Sequence, residues 1–185
     1  MQAGRLRHRI TILNPQRVET RFETDADPTY VIDSTVWGSV GDTNDLRVAS
    51  PGSELDNAEQ AKGVADIPVV LRYNALSIEQ LLLHKREYVE LDADLDDSGT
   101  TVTITRDVVV SPNKDTRFIV GSEHMLAIKR LASGSYLVER GYDGTTAAVH
   151  TDGDSCASAG ALNIISVVDV DTRGRTTVCK CEGYF

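Results

Sequence analysis

The chain has 185 residues, 41% of them hydrophobic and 25% charged, with a formal net charge of -9 at pH 7. That is enough apolar sequence for one domain or two small ones, and the acid excess argues against a protein whose main task is gripping nucleic acid, because affinity for phosphate comes from lysine and arginine. No run approaches the roughly 18 apolar residues of a membrane-crossing helix, and arginines stand where a secretory leader needs an apolar core, so the expectation is a protein made in a cytoplasm with no membrane partner.

The first predicted element is a strand over residues 4–13. Leu6, His8, Ile10 and Ile12 fall on one face and Arg5, Arg7, Arg9 and Thr11 on the other, which predicts Ile10 buried and Thr11 exposed. Asn14-Pro15 should end it, since proline has no ladder donor. A long unpaired strand is an aggregation edge, and the expected partner is the β-rich hairpin of the last twenty residues. Residues 16–28 are polar and read as a solvated loop or hairpin arm. Strand character returns at 29–32 and 34–40, with Val36, Gly38 and Val40 opposite Thr35, Trp37 and Ser39. Trp37, the sole tryptophan, reads as a core or interface anchor.

Residues 41–62 change character. Asp42-Thr43-Asn44-Asp45 is turn-like, Ser50-Pro51-Gly52-Ser53 breaks the chain, and 54–62 can form a short helix capped by Ser53, with Asp56 favourably placed near its N-terminus. Its apolar stripe of Leu55, Ala58 and Ala61 is thin, so the expectation is an arm that is mobile in a free subunit. A strand over 67–73 should run mid-sheet, with Pro68 at its start or on an edge. One helical turn at 77–80 and then a hairpin over 81–91, reversing at His84-Lys85-Arg86 with His84 exposed, complete this half.

The stretch 92–160 contains four short β segments, around 100–105, 118–120, 124–128 and 136–140. They are separated by the turn chemistry of Ser98-Gly99, Ser111-Pro112-Asn113, Gly121-Ser122 and Ser133-Gly134. Asp92, Asp94, Asp96 and Asp97 lack an EF-hand pattern and read as a linker. A final hairpin follows, from 161–169 to 176–182 about Asp-Thr-Arg-Gly-Arg.

No nucleophile and base stand together, and the glycines of Gly141-Tyr142-Asp143-Gly144 open no helix, so the reading is a non-enzymatic chain with no catalytic residues and no cofactor. His150-x-Asp152-x-Asp154-x-Cys156 is the one alternating set of potential metal ligands, but it crosses an acidic loop, and the expectation is no metal. Cys156, Cys179 and Cys181 are odd in number and read as reduced, small apolar groups. Cys179 and Cys181 should share one strand face. Three arginines on one strand face want acidic neighbours, a partner surface or phosphate. Arg5, Arg7, Arg9 and Trp37 are therefore the candidate partner or intersubunit contacts.

The opening Ala3 to Ile12, the Val36-Trp37-Gly38-Ser39-Val40 strand, Arg72-Tyr73 and the closing hairpin from Ile164 to Glu182 together resemble the phage head-tail adaptor, or head closure, family. The resemblance covers residues 1–91 and 161–185. Residues 92–160 depart from it as an insertion, in which Ile119-Val120-Gly121-Ser122-Glu123-His124-Met125 and the run from Val138 to His150 resemble a small β module of phage virion proteins. The resemblance implies an all-β fold: a small β-barrel or sandwich over 1–91 and 161–185 with a short helix-bearing loop, plus an inserted β module over 92–160. It implies a structural virion protein at the head-tail interface, in a homo-oligomeric ring with a dodecamer as the candidate stoichiometry. A portal or adaptor protein would lie on the head side and a tail protein on the other, with double-stranded DNA passing without sequence specificity. In this reading Asp42, Asp45, Arg47, Glu54, Asp56 and Glu59 belong to a channel-side loop whose acid excess keeps DNA from adhering. The competing readings are a tail-completion or baseplate protein and a metal-dependent enzyme built on the His150 to Cys156 set.

Overall fold

The structure, a computed structural model, describes residues 7–16, 29–41, 66–72, 75–108, 116–169 and 176–182. Arg5, the helix expected over 54–62 and the channel-side residues Asp42, Asp45, Arg47, Glu54, Asp56 and Glu59 lie outside the described residues. Ten strands occur in it: β1 His8–Gln16, β2 Thr29–Val40, β3 Asp66–Arg72, β4 Leu81–Glu90, β5 Thr101–Thr103, β6 Thr116–Val120, β7 Glu123–Ala132, β8 Ser135–Tyr142, β9 Ser155–Asp169 and β10 Thr176–Glu182. They form one sheet in the order β10-β3-β2-β1-β4-β9-β6-β7-β8-β5, and a further pairing of β10 with β9 closes the first six into a barrel. The fold is all-β, as the alternation of apolar residues required, with β5 to β8 outside the barrel.

Barrel closure decides which strands meet. β1 lies between β2 and β4, with Ile10 opposite Val36 and His84, so the terminal hairpin is not its partner. That hairpin, β9 and β10, instead pairs with β4 and β3. Both chain ends belong to one sheet because it is closed. Pro15 does not stop β1, which runs on to Gln16. Beyond Leu13 it pairs only with β2, and an antiparallel neighbour needs a donor from alternate residues only. Pro68 sits near the start of β3, one residue before the β2 pairing begins at Val69, and its carbonyl accepts the Gly41 N–H at 2.9 Å.

Residues 81–90 are one strand, not a hairpin. His-Lys-Arg offers no residue suited to a tight reversal, and the whole run is paired to β9. The irregularity falls between Lys85 and Glu87 as a bulge. It switches parity, so that Leu82 and Val89, seven residues apart, face the same side of the sheet. The reversal after Ser77 is a turn, closed by the Gln80 N–H on the Ser77 carbonyl at 3.1 Å.

That face carries two cores. Inside the barrel pack Ile10, Ile12, Ile67, Val69, Leu71, Leu82, Leu162, Ile164, Cys179 and Cys181. Beyond it, Val89, Leu91, Leu95, Val102, Ile104, Phe118, Met125, Tyr136, Val138 and Cys156 form the second. β9 contributes Leu162 to one and Cys156 to the other, so the boundary expected between 160 and 161 falls inside a continuous strand. Gly38 is fixed by packing: a Cβ there would strike Ile10 Cδ1 and lie 2.6 Å from Leu71 Cδ2. The barrel's outer face is also covered, where Leu13, Leu81, Leu83 and Ala161 cluster with Tyr30 packed on them. Thr11 shares this covered wall and is only 7% exposed, contrary to the parity reading, with Oγ1 3.3 Å from Thr35 Oγ1.

Candidate interface and buried clamps

Arg9 and Trp37 are direct cross-strand partners in β1 and β2. The Arg9 guanidinium lies 5.1 Å from the centroid of the Trp37 ring, and Trp37 is 49% exposed. Trp37 is thus not a core residue. A cation over an aromatic face at an exposed site is worth about 0.5–1 kcal/mol, and the pair forms a cationic plate on the barrel wall. Arg7, just before β1, is exposed as well. Of the four predicted contact residues, the structure brings Arg9 and Trp37 together, and Arg5 lies outside the described residues.

On the inner face of β1 the chemistry differs. His8 and His84 meet edge to face with centroids 4.7 Å apart, and His8 Nδ1 is 3.2 Å from His84 Nε2. His84 is half-buried, not an exposed turn residue, because β4 carries it into the barrel wall opposite Ile10. Burial, then His8, then the Arg86 charge push its pKa down from 6.5 to about 4. The imidazole is therefore neutral at neutral pH.

The outer strands hold two buried ion-pair clamps, built from adjacent residues at the start of β7. Glu123, 1% exposed, takes a two-pronged contact from Arg140 at 2.6 and 2.9 Å. It also accepts the Gly141 N–H at 3.2 Å and the Ala148 N–H at 3.0 Å, and lies 2.7 Å from His150 Nε2. Burial alone would raise this carboxyl, but the hydrogen bonds from Arg140, Ala148, His150 and Gly141 outweigh it and hold the pKa at about 2. Arg140 also donates to the Asp96, Gly99 and Ala148 carbonyls, tying the 95–100 loop to β8. The second clamp is Asp143, whose Oδ2 lies 3.2 Å from Arg117 Nε and 2.9 Å from His124 Nδ1, all three nearly or fully buried. The Arg117 guanidinium also covers the Tyr142 ring at 4.6 Å.

The clamps account for the spacing in the run from Glu139 to His150. Gly141 and Gly144 have φ of 64° and 74°, and Asp143 has 54°, the left-handed conformation that Asp tolerates better than most residues. Thr145 Oγ1 accepts the His124 N–H at 3.0 Å and donates to the Tyr142 carbonyl at 2.7 Å. Each of these polar side chains ties down loop backbone or meets a polar partner, although Asp143 Oδ1 is buried without one among the described residues. The sequence signal was an acid and a base, Glu123-His124, directly preceding Met125-Leu126-Ala127 in a run that becomes core.

The potential metal set is dispersed. His150 turns to Glu123, Asp154 accepts the Thr151 N–H at 2.8 Å, the Asp152 N–H bonds Asp94 at 2.9 Å, and Cys156 lies in the second core. Among the described residues no three His, Cys, Asp or Glu side chains converge to hold a metal ion. Burial raises the Cys156 thiol to about 12. Cys179 and Cys181 do share a face, with sulfurs 3.7 Å apart, and the Cys179 Sγ–H reaches the Val69 carbonyl at 3.4 Å. Contact with Cys179 first, and burial second, raise the Cys181 thiol, so Cys181 is not a thiolate.

The chain matches no protein-family model, no curated protein and no solved structure.

Proposed function

We propose that this chain is a structural protein of a phage virion, a subunit of the ring that closes the DNA-filled head and joins it to the tail. The motifs of the opening strand, the Trp37 strand and the terminal hairpin support this reading. The observation that carries it is the plate made by Arg9 and Trp37. Two separately placed motifs of the resemblance meet there as register partners, exposed on the wall of a closed barrel. Arginine and tryptophan are the residues most enriched where protein interfaces concentrate their binding energy. A ring needs one such patch on each subunit to dock on a different patch of the next, around a closed rotation. A net charge of -9 makes acidic surface on a neighbouring subunit or connector protein the natural complement.

Sedimentation velocity of the purified chain tests this. The wild type is expected to assemble with rising concentration, and the double variant Arg9→Glu, Trp37→Ala to associate at least tenfold more weakly with a nearly unchanged melting temperature, since both side chains are exposed. A double variant that assembles like the wild type, or a wild type that stays monomeric throughout, contradicts the proposal.

A further inference from the structure

The turn after β8 touches the barrel's β2 at a place that nothing in the proposed ring requires. Past Leu13 and Ser34, β1 and β2 leave the barrel wall as a two-stranded ribbon, Asn14 to Gln16 pairing with Thr29 to Val31. β4 gives it no pairing there, because the contacts of β1 with β4 end at Leu13 opposite Leu81. Asp33 is the extra residue at the base of the ribbon, between the pairs Ile12 with Ser34 and Leu13 with Ile32. A bulge of this kind bends the strand that carries it. At the bend Asn14 Nδ2 donates to Asp33 Oδ1 at 3.0 Å and Gln80 Nε2 donates to Asn14 Oδ1 at 2.6 Å.

An isolated two-stranded ribbon is marginal in water, so its direction depends on what it rests against. Tyr30 packs on the outer cluster of Leu13, Leu81, Leu83 and Ala161. Val31 meets the turn between β8 and β9: a Cβ built on Gly144 would lie 2.8 Å from Val31 Cγ1. Only glycine fits there, on grounds of space and of its φ of 74°. The turn is rigid from within, because its Asp143 is gripped by Arg117 from β6 and His124 from β7.

We propose that the strands outside the barrel serve as a brace, the turn at Asp143 and Gly144 being the rest that sets the direction in which the ribbon leaves the barrel. A function is thereby given to the stretch 92–160 beyond that of an appended module. The brace stands on the contact of Gly144 with Val31. Its consequence for assembly, that a released ribbon disturbs the fit between neighbours, rests on the ring reading above.

Hydrogen exchange on the isolated full chain decides it. Val31→Ala removes the contacting methyls and leaves both cores untouched, and it is expected to speed exchange of the amides of Asn14, Gln16 and residues 29–32 at least tenfold with no change across 155–164. Gly144→Ala should speed the same amides by pushing on Val31. Combining it with Val31→Ala should give less than the product of the two effects, since the added methyl then enters vacated space and the strain of the positive φ cancels in the cycle. Unchanged ribbon exchange in Val31→Ala, or effects that multiply in the double variant, overturns the brace. Sedimentation of Val31→Ala is a separate measurement: faster ribbon exchange with undiminished assembly keeps the brace and removes its link to the ring.

Discussion

Replacing Glu123 by alanine is expected to cost about 3–5 kcal/mol, because it leaves the Arg140 guanidinium buried without its carboxylate. It also removes the acceptor for the Gly141 and Ala148 amides and the partner of His150. For a chain of this size that corresponds to a fall of roughly 10 °C in melting temperature. Glu123→Gln keeps the shape and an acceptor oxygen but loses the charge, and should cost less. The same group predicts a pH dependence. Its folded pKa of about 2 lies below its ordinary 4.5, so the stability it confers is fully present above about 4.5 and is lost as pH falls toward 2. Thermal melts between pH 6 and pH 2.5 should show Glu123→Gln losing less stability on acidification than the wild type. Parallel curves for the two proteins would remove the clamp from the account.

The second large effect lies in the barrel. Ile10 is fully buried between Val36 and His84 and packs under Gly38. Ile10→Asp removes a core side chain and puts an unpaired carboxylate in its place, and no soluble folded protein is expected. Thr11→Asp should also destabilise, by about 1–3 kcal/mol, because Thr11 is buried and its hydroxyl meets Thr35. It falls short of the Ile10 effect because the new carboxylate lies on the face that carries Arg9. Soluble yield and melting temperature of the two variants give the comparison, and a Thr11→Asp protein as stable as wild type would mean that the outer wall of β1 is open to water.

Thr11 also marks where sequence reasoning stopped. Alternation in residues 8–12 identifies a strand and its inner face, but not whether the other face is covered. The cover comes from Tyr30, Leu81, Leu83 and Ala161, whose convergence follows from barrel closure. The hairpin expected over 81–91 likewise failed, because β4 runs on through a bulge after Lys85 that has no signature in His-Lys-Arg-Glu. The first half of β9 was missed for another reason. Ser-Cys-Ala-Ser-Ala-Gly-Ala has little β propensity, yet it is flanked by β4 and β6, and the Arg86 guanidinium lies over Gly160, where any larger side chain would collide. Trp37 and Arg9 were each legible as candidates. Their pairing across β1 and β2 was not, because alternation within each strand shows which face a residue takes but not which residue it stands opposite. The buried clamps are the least legible feature: Glu123 and His124 stand in the run from Ile119 to Met125, and what they hold becomes visible only when the 141–150 loop folds back over them.

The most direct test of the central claim is electron microscopy of virions assembled without this chain. The account predicts DNA-packaged heads that carry no tails and lose their DNA on purification, with added wild-type protein restoring joined particles. Tailed particles that retain their DNA in its absence would contradict it.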